Sequence, residues 1–222
     1  MAKMIDKKPS WKGEGKVWES LSTNLPGDNV VYNQREVNGR EYDFCVLAEN
    51  LGLVIIEVKG WDSDKIDVRG VDNIIVEGYD EPQTSPKKQA RAYRFAILNK
   101  IVEKYNVSPL VLDMVCYPFI TQEQYIKTKL DIVSEPEYTI FKEDIEDGEK
   151  LNEKIQHLFT RNKFIPHADF SSDLLVRIRK QLEPEFELSV VDDQNKPYSK
   201  ISIFPNDINE NICLLYTSPS PR

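Results

Sequence analysis

Two apolar runs of strand length, "LVIIEVKG" at 53–60 and "PLVLDMVCYPF" at 109–119, stand on either side of the longest helical pattern in the chain, "KQARAYRFAILNKIVEKY" at 88–105. An apolar run without alternation belongs to a strand covered on both faces. A strand reached through a long helix is set up to lie parallel to its neighbour, because the crossover returns the chain in the same direction. Before this unit come "NVVYNQREV" (29–37), the turn "NGR", "EYDFCVLA" (41–48) and the turn "ENLG". Strands joined by such tight turns predict an antiparallel meander. The result is an α/β domain around a mixed central sheet flanked by helices.

Further elements fit that frame. "GEGKVWESLSTN" (13–24) reads as an amphipathic helix, with Val17, Trp18 and Leu21 on one face together with Glu14. "KIDVRGVDNIIVEG" (65–78) reads as a hairpin. In the long helix, Ala92, Phe95, Ala96, Asn99 and Val102 recur at the spacing of one face, which predicts that this face is buried. "YTIF" reads as a short strand, "EDGEKLNEKIQHLFTR" as an amphipathic helix, "SSDLLVRIRKQLE" as another, and "KPYSKISIFPNDINENI" as extended. The domain is expected over 1–160, with a helical and extended elaboration or linker over 161–212.

On a strand, alternate residues share a face. Leu53, Ile55, Glu57 and Lys59 therefore point one way, and Val54, Ile56 and Val58 the other. An acid and a base close a central strand on one side. A half-buried carboxylate must be paired, hydrogen-bonded or bound to a cation. Antiparallel pairing across "ENLG" would bring Asp43 beside Glu57. Two carboxylates at strand ends with a lysine between them suit a hard cation and a water or phosphate. An E-x-K triplet alone more often marks a solvated strand end, so the weight rests on what surrounds it.

"GEGKVWESL", "EYDFCVLAENLGLVIIEVKGW" and "SPKKQA" together resemble a nuclease-related (NERD) domain, within the restriction-endonuclease-like PD-(D/E)xK fold. The matching residues are Glu14 on the first helix, Asp43 on the second strand of the meander, Glu57 and Lys59 on the third, and Pro86 with Gln89 opening the long helix. The resemblance covers about residues 11–145. It implies a metal-dependent nuclease acting on DNA, or on RNA. Asp43, Glu57 and the carbonyl of Val58 would ligate Mg²⁺ or Mn²⁺, and Lys59 would position or deprotonate the attacking water. Glu14 would reach the site from its helix, with Glu19 as its rival. Gln89 would bond near the metal or the substrate phosphate. Family members are often fused to other DNA-processing modules, so a helicase-like domain after residue 212 is an expected partner. The competing readings are a nuclease-fold module that binds nucleic acid with little catalysis, and a protein-interaction domain.

Lys87, Lys88, Arg91 and Arg94 cluster around Gln89, and Lys87, Arg91 and Arg94 fall on nearly one helix face. They are candidate phosphate contacts beside the site, or an ordinary solvated face. His157 and His167 have no third ligand near them in sequence and are expected at the surface. Cys45 and Cys116 sit in predicted strands and are expected in the core.

Composition excludes several classes. No apolar run approaches the roughly 18 residues of a membrane helix, and no apolar stretch follows the N-terminal lysines as in a secretory signal. Three cysteines among 222 residues are too scattered for a disulfide framework, which favours a reducing cytoplasm. A net charge of −8 counts against a bulk nucleic-acid binder and leaves room for a local basic patch. No phosphate-loop or nucleophile-elbow motif is present. The last ten residues, "CLLYTSPSPR" (213–222), resemble a translated sequencing-library adapter, so natural sequence is expected to stop near Ile212 and the natural protein to be longer.

Overall fold

The computed structural model describes residues 1–37, 39–182, 186–191 and 197–203. Its first compact unit, Met1–Ser172, is built on a six-stranded sheet. The strands are β1 (Lys3–Met4), β2 (Asn29–Val37), β3 (Arg40–Ala48), β4 (Gly52–Val58), β7 (Val111–Cys116) and β8 (Thr139–Ile140), adjacent in that order. β2, β3 and β4 form the antiparallel meander that the turns predict, and β4–β7 and β7–β8 are parallel. The sheet is therefore mixed, as the crossover requires. β5 (Ile66–Gly70) and β6 (Asn73–Val76) form a separate hairpin.

The crossover is α2 (Pro86–Tyr105). Ser85 caps its start by accepting from the Lys88 amide, and Pro86 takes the first-turn position where a missing N–H costs nothing. Asn106 ends it in the left-handed conformation at φ 51°. The buried face of this helix differs from the expected one. Pro86, Lys87, Ala90, Ile97 and Ile101 are buried, whereas Phe95 is 45 % exposed and Asn99 and Val102 are exposed too. The expected stripe included a polar residue and passed over Ile97 and Ile101. The sheet takes the larger aliphatic pair instead, and a buried lysine is tolerated because it finds a carboxylate.

The even-numbered side of β4 (Val54, Ile56, Val58) packs with Leu112, Met114 and Cys116 of β7 under α1 (Lys12–Asn24) and α5 (Gly148–Asn162), through Val17, Leu21, Leu151 and Ile155. The opposite side faces α2. Burying both faces explains the unbroken apolar runs. Gly52 fixes where β4 starts. At φ 145° it sits so close to β7 that a Cβ would lie 2.2 Å from the Leu110 carbonyl oxygen, and the Leu53 amide donates to that oxygen at 2.9 Å.

α3 (Gln122–Lys127) and α4 (Lys142–Glu146) are short connecting helices. The first unit runs past residue 160. The Ala168 amide bonds to the Ser108 carbonyl and the Asn50 amide to that of Phe170, which ties residues 161–172 back to it. The second unit, Asp173–Arg222, contains most of α6 (Ser172–Leu182) and an antiparallel pair, β9 (Phe186–Val191) and β10 (Pro197–Ile203). The adapter-like tail, with Cys213, lies outside the described residues. Among the described residues no helix is long and apolar enough to cross a membrane. Cys45 and Cys116 are buried free thiols, and His157 and His167 are exposed, as expected.

Candidate active site

The C-terminal end of β4 carries the charged pair. The ladder between β3 and β4 runs to Phe44–Ile56, so Asp43 stands one step further on, beside Glu57 and on its face. Asp43 Oδ2 accepts from the Val58 amide at 2.6 Å, which locks the two strand ends together. The Lys59 ammonium donates to Glu57 Oε1 at 2.7 Å. Glu57 is only 4 % exposed and does not itself line the adjoining cleft, whereas the half-buried Lys59 does.

Glu14 comes to the same place from α1, whose first turn is pressed against the end of β4. A Cβ on Gly13 would lie 3.3 Å from the Gly60 Cα and 3.3 Å from Pro118 Cγ, so the glycine permits this approach. Glu14, Asp43, Val58 and Lys59 line one cleft of ≈ 530 Å³, together with Trp11, Lys12, Trp61, Tyr79 and Phe119. Glu19 lies elsewhere, paired with Lys8, and does not line the cleft.

The charges in this cleft strain one another. The Glu57 carboxyl is pushed up to about 7, first by burial and then by the charge of Asp43, with Lys59 opposing. Burial also raises Asp43, against the Val58 amide and Lys59, which pull it down. Glu14 is raised by burial and then by Asp43. Carboxylates crowded in this way hold protons that a hard cation would displace. Asp43 and Glu57 offer carboxylate oxygens, the donor type that hard cations such as Mg²⁺ or Mn²⁺ take. Glu14 is not part of a converged ligand set: its Oε2 accepts from Gln34 Nε2 at 2.9 Å. Among the described residues no group of three or more His, Cys, Asp or Glu side chains stands ready to hold an ion.

A pH dependence of stability follows. Glu57 ordinarily titrates near 4.5 and here near 7, so between those values the folded chain holds a proton that the unfolded chain has released. Stability supplied by that proton is present at low pH and is lost as pH rises through about 7. The raised Asp43 and Glu14 act in the same direction. The melting temperature of chelator-treated protein is expected to fall between pH 5 and pH 7.5, and Glu57→Gln to flatten the slope. A melting temperature rising steadily across that window would contradict the assignment.

Gln34 was not foreseen. It sits in β2 opposite Asp43 with φ 51°, a left-handed conformation unusual for a strand residue with a side chain. No local signal in "NVVYNQREV" marks it; only the pairing register brings it to Glu14. Gln89 is placed apart. Its amide donates to Thr84 Oγ1 at 2.8 Å, and it does not line the cleft.

The four cations of α2 divide. Lys87 is buried, with its ammonium 2.8 Å from Asp113 Oδ2, 3.1 Å from the Asp113 carbonyl oxygen and 4.1 Å from the centre of the Tyr138 ring. Arg94 donates to Asp113 Oδ1 at 2.9 Å. Lys88 pairs with exposed Asp72. Arg91 is exposed. The expected common face of Lys87, Arg91 and Arg94 is therefore not a free basic stripe, because Asp113, an inward-facing strand residue, claims two of its three cations.

Residues 9–118 match the model of a protein family described as the nuclease-related domain, NERD. The match spans Glu14, Asp43, Glu57, Lys59 and Gln89. No curated protein and no solved structure matches the chain.

Proposed function

We propose, from the match of residues 9–118 to the nuclease-related domain family, that the chain is a metal-dependent nuclease domain hydrolysing phosphodiester bonds in DNA. The observation that carries the reading is the meeting of Asp43, Glu57 and Lys59 at one strand end, on a cleft that Glu14 enters from α1.

Asp43, Glu57 and the Val58 carbonyl are the proposed holders of Mg²⁺ or Mn²⁺. Such a cation, when bound, lowers the pKa of a water and offsets charge on a phosphoryl oxygen. The chain's own groups supply the rest. Lys59, released from Glu57, presents its ammonium to the attacking water and to the phosphate charge that builds as that water adds. The water gives its proton to solvent, and the P–O bond to the departing sugar oxygen breaks. Glu14 holds a water from the other wall through its carboxylate. Gln34 aims Glu14. Gln89 would have to leave Thr84 to reach a phosphate. The Val58 amide keeps Asp43 in place, so the two strand ends cannot drift apart. All of these residues belong to the first unit.

The test is cleavage of linear, single-stranded and supercoiled DNA with Mg²⁺, Mn²⁺ or chelator. Cleavage is expected only with metal and is expected to vanish in Asp43→Asn. Wild-type protein that cuts nothing under any of these conditions would sink the proposal. A second reading, a nuclease-fold module that binds without cutting, is favoured by one observation: Lys59 and Glu14 each already have a partner inside the chain. Its mark would be binding that weakens steeply with salt and produces no product.

A further inference from the structure

The cleft beside Asp43 and Lys59 is walled with aromatic rings that the proposed chemistry does not use. Trp11, at the residue just before α1, is 71 % exposed, and Tyr79, in the loop after β6, is 55 % exposed. They come from segments far apart in sequence, yet both line this cleft. Phe119 lies on it as well, with the Lys12 ammonium 5.4 Å and the Lys16 ammonium 5.9 Å from its ring centre. Lys16 is tied to Glu146, whereas Lys12 is exposed and pairs with no carboxylate among the described residues. Trp61 is buried and leans on Tyr117, so it fixes the wall and takes no ligand.

We propose that Trp11 and Tyr79 are stacking platforms for unpaired bases, and that the substrate of this site is single-stranded nucleic acid or a strand with bases turned out of the duplex. The inference rests on the nuclease reading and deepens it. Two large exposed rings on one cleft present flat faces that a planar partner can cover. In a duplex the base faces are already stacked on one another, so only unpaired bases can offer them to these rings. Base faces stack on tryptophan and tyrosine whatever the sequence, while cations beside the rings follow the phosphates. Lys12 and Lys59 supply those cations at the same cleft.

The test is binding, read without turnover. The probes are a single-stranded oligonucleotide, its abasic counterpart of the same length and charge, and the matching duplex, all in Ca²⁺ and followed by anisotropy and tryptophan fluorescence. The single strand is expected to bind more tightly than the abasic strand or the duplex and to quench fluorescence. Trp11→Ala and Tyr79→Ala are each expected to weaken single-strand binding roughly 5- to 150-fold, the range for loss of one stacked base, and to leave the abasic probe unaffected. Phe164→Ser, which removes an exposed ring away from the cleft, serves as the control and should change nothing. Equal affinity for the abasic and normal strands, or no effect of either ring, overturns the proposal while leaving metal-dependent cleavage standing. Base-dependent binding without cleavage would keep the platforms and remove the nuclease.

Discussion

Lys59→Met is expected to lower metal-dependent DNA cleavage by roughly 10²–10³-fold, the range for losing one donor aimed at the charge that builds in the transition state. Its effect on cation affinity should go the other way. The Lys59 ammonium lies 2.7 Å from Glu57 Oε1, where it competes with any cation for that carboxylate. Removing it takes a like charge away from the ion, so Mg²⁺ affinity, read as the cation-induced rise in melting temperature, should hold or increase. A merely structural lysine would lower both together. Single-turnover cleavage with saturating Mg²⁺ separates the outcomes. A rate within threefold of wild type would remove Lys59 from the mechanism.

Much of this site was legible because strands obey simple arithmetic. Alternation placed Glu57 and Lys59 on one face, and the short "ENLG" turn limited the register enough to bring Asp43 to Glu57. Glu14 entered through the resemblance to the nuclease-related domain, and helical spacing beside Val17 and Leu21 only favoured it over Glu19. What could not be read depends on contacts between elements distant in sequence. Gln34 reaches Glu14 only through the β2–β3 register and an unusual backbone angle. Trp11 and Tyr79 meet on one cleft only after the chain folds. The basic cluster on α2 misled for the same reason. Charge on a helix suggests water, and nothing local in "PKKQARAYR" shows that Asp113, one crossover away, will draw Lys87 and Arg94 to itself. The missed buried face of α2 has the same origin, since the helix turns toward the partner for Lys87 as well as toward the sheet.

Asp113→Ala is expected to destabilise the first unit by about 3–5 kcal/mol, the cost of breaking a buried ion pair by removing one side. Asp113 is 2 % exposed and answers two cations, and Lys87 is buried beside it. Burial already holds the Lys87 ammonium below its ordinary pKa, with Asp113 opposing that shift. Without the carboxylate, Lys87 must lose its proton or drag water inward. Arg94 is partly exposed and can turn to solvent, so most of the penalty falls on Lys87. Asp113→Leu combined with Lys87→Met, which replaces the pair by apolar groups of similar size, should recover most of the loss. Urea denaturation followed by fluorescence reads both variants. A loss under about 1 kcal/mol in Asp113→Ala would mean that the pair is no stronger than a surface salt bridge. The pair also bears on the site: Asp113 stands opposite Ile55 in the β4–β7 ladder, and Val115 opposite Glu57. A slackened α2–β7 contact would loosen the strand that holds Glu57 in place. Asp113→Ala should therefore lower Mg²⁺ affinity even where the protein remains folded, and the double variant should restore it.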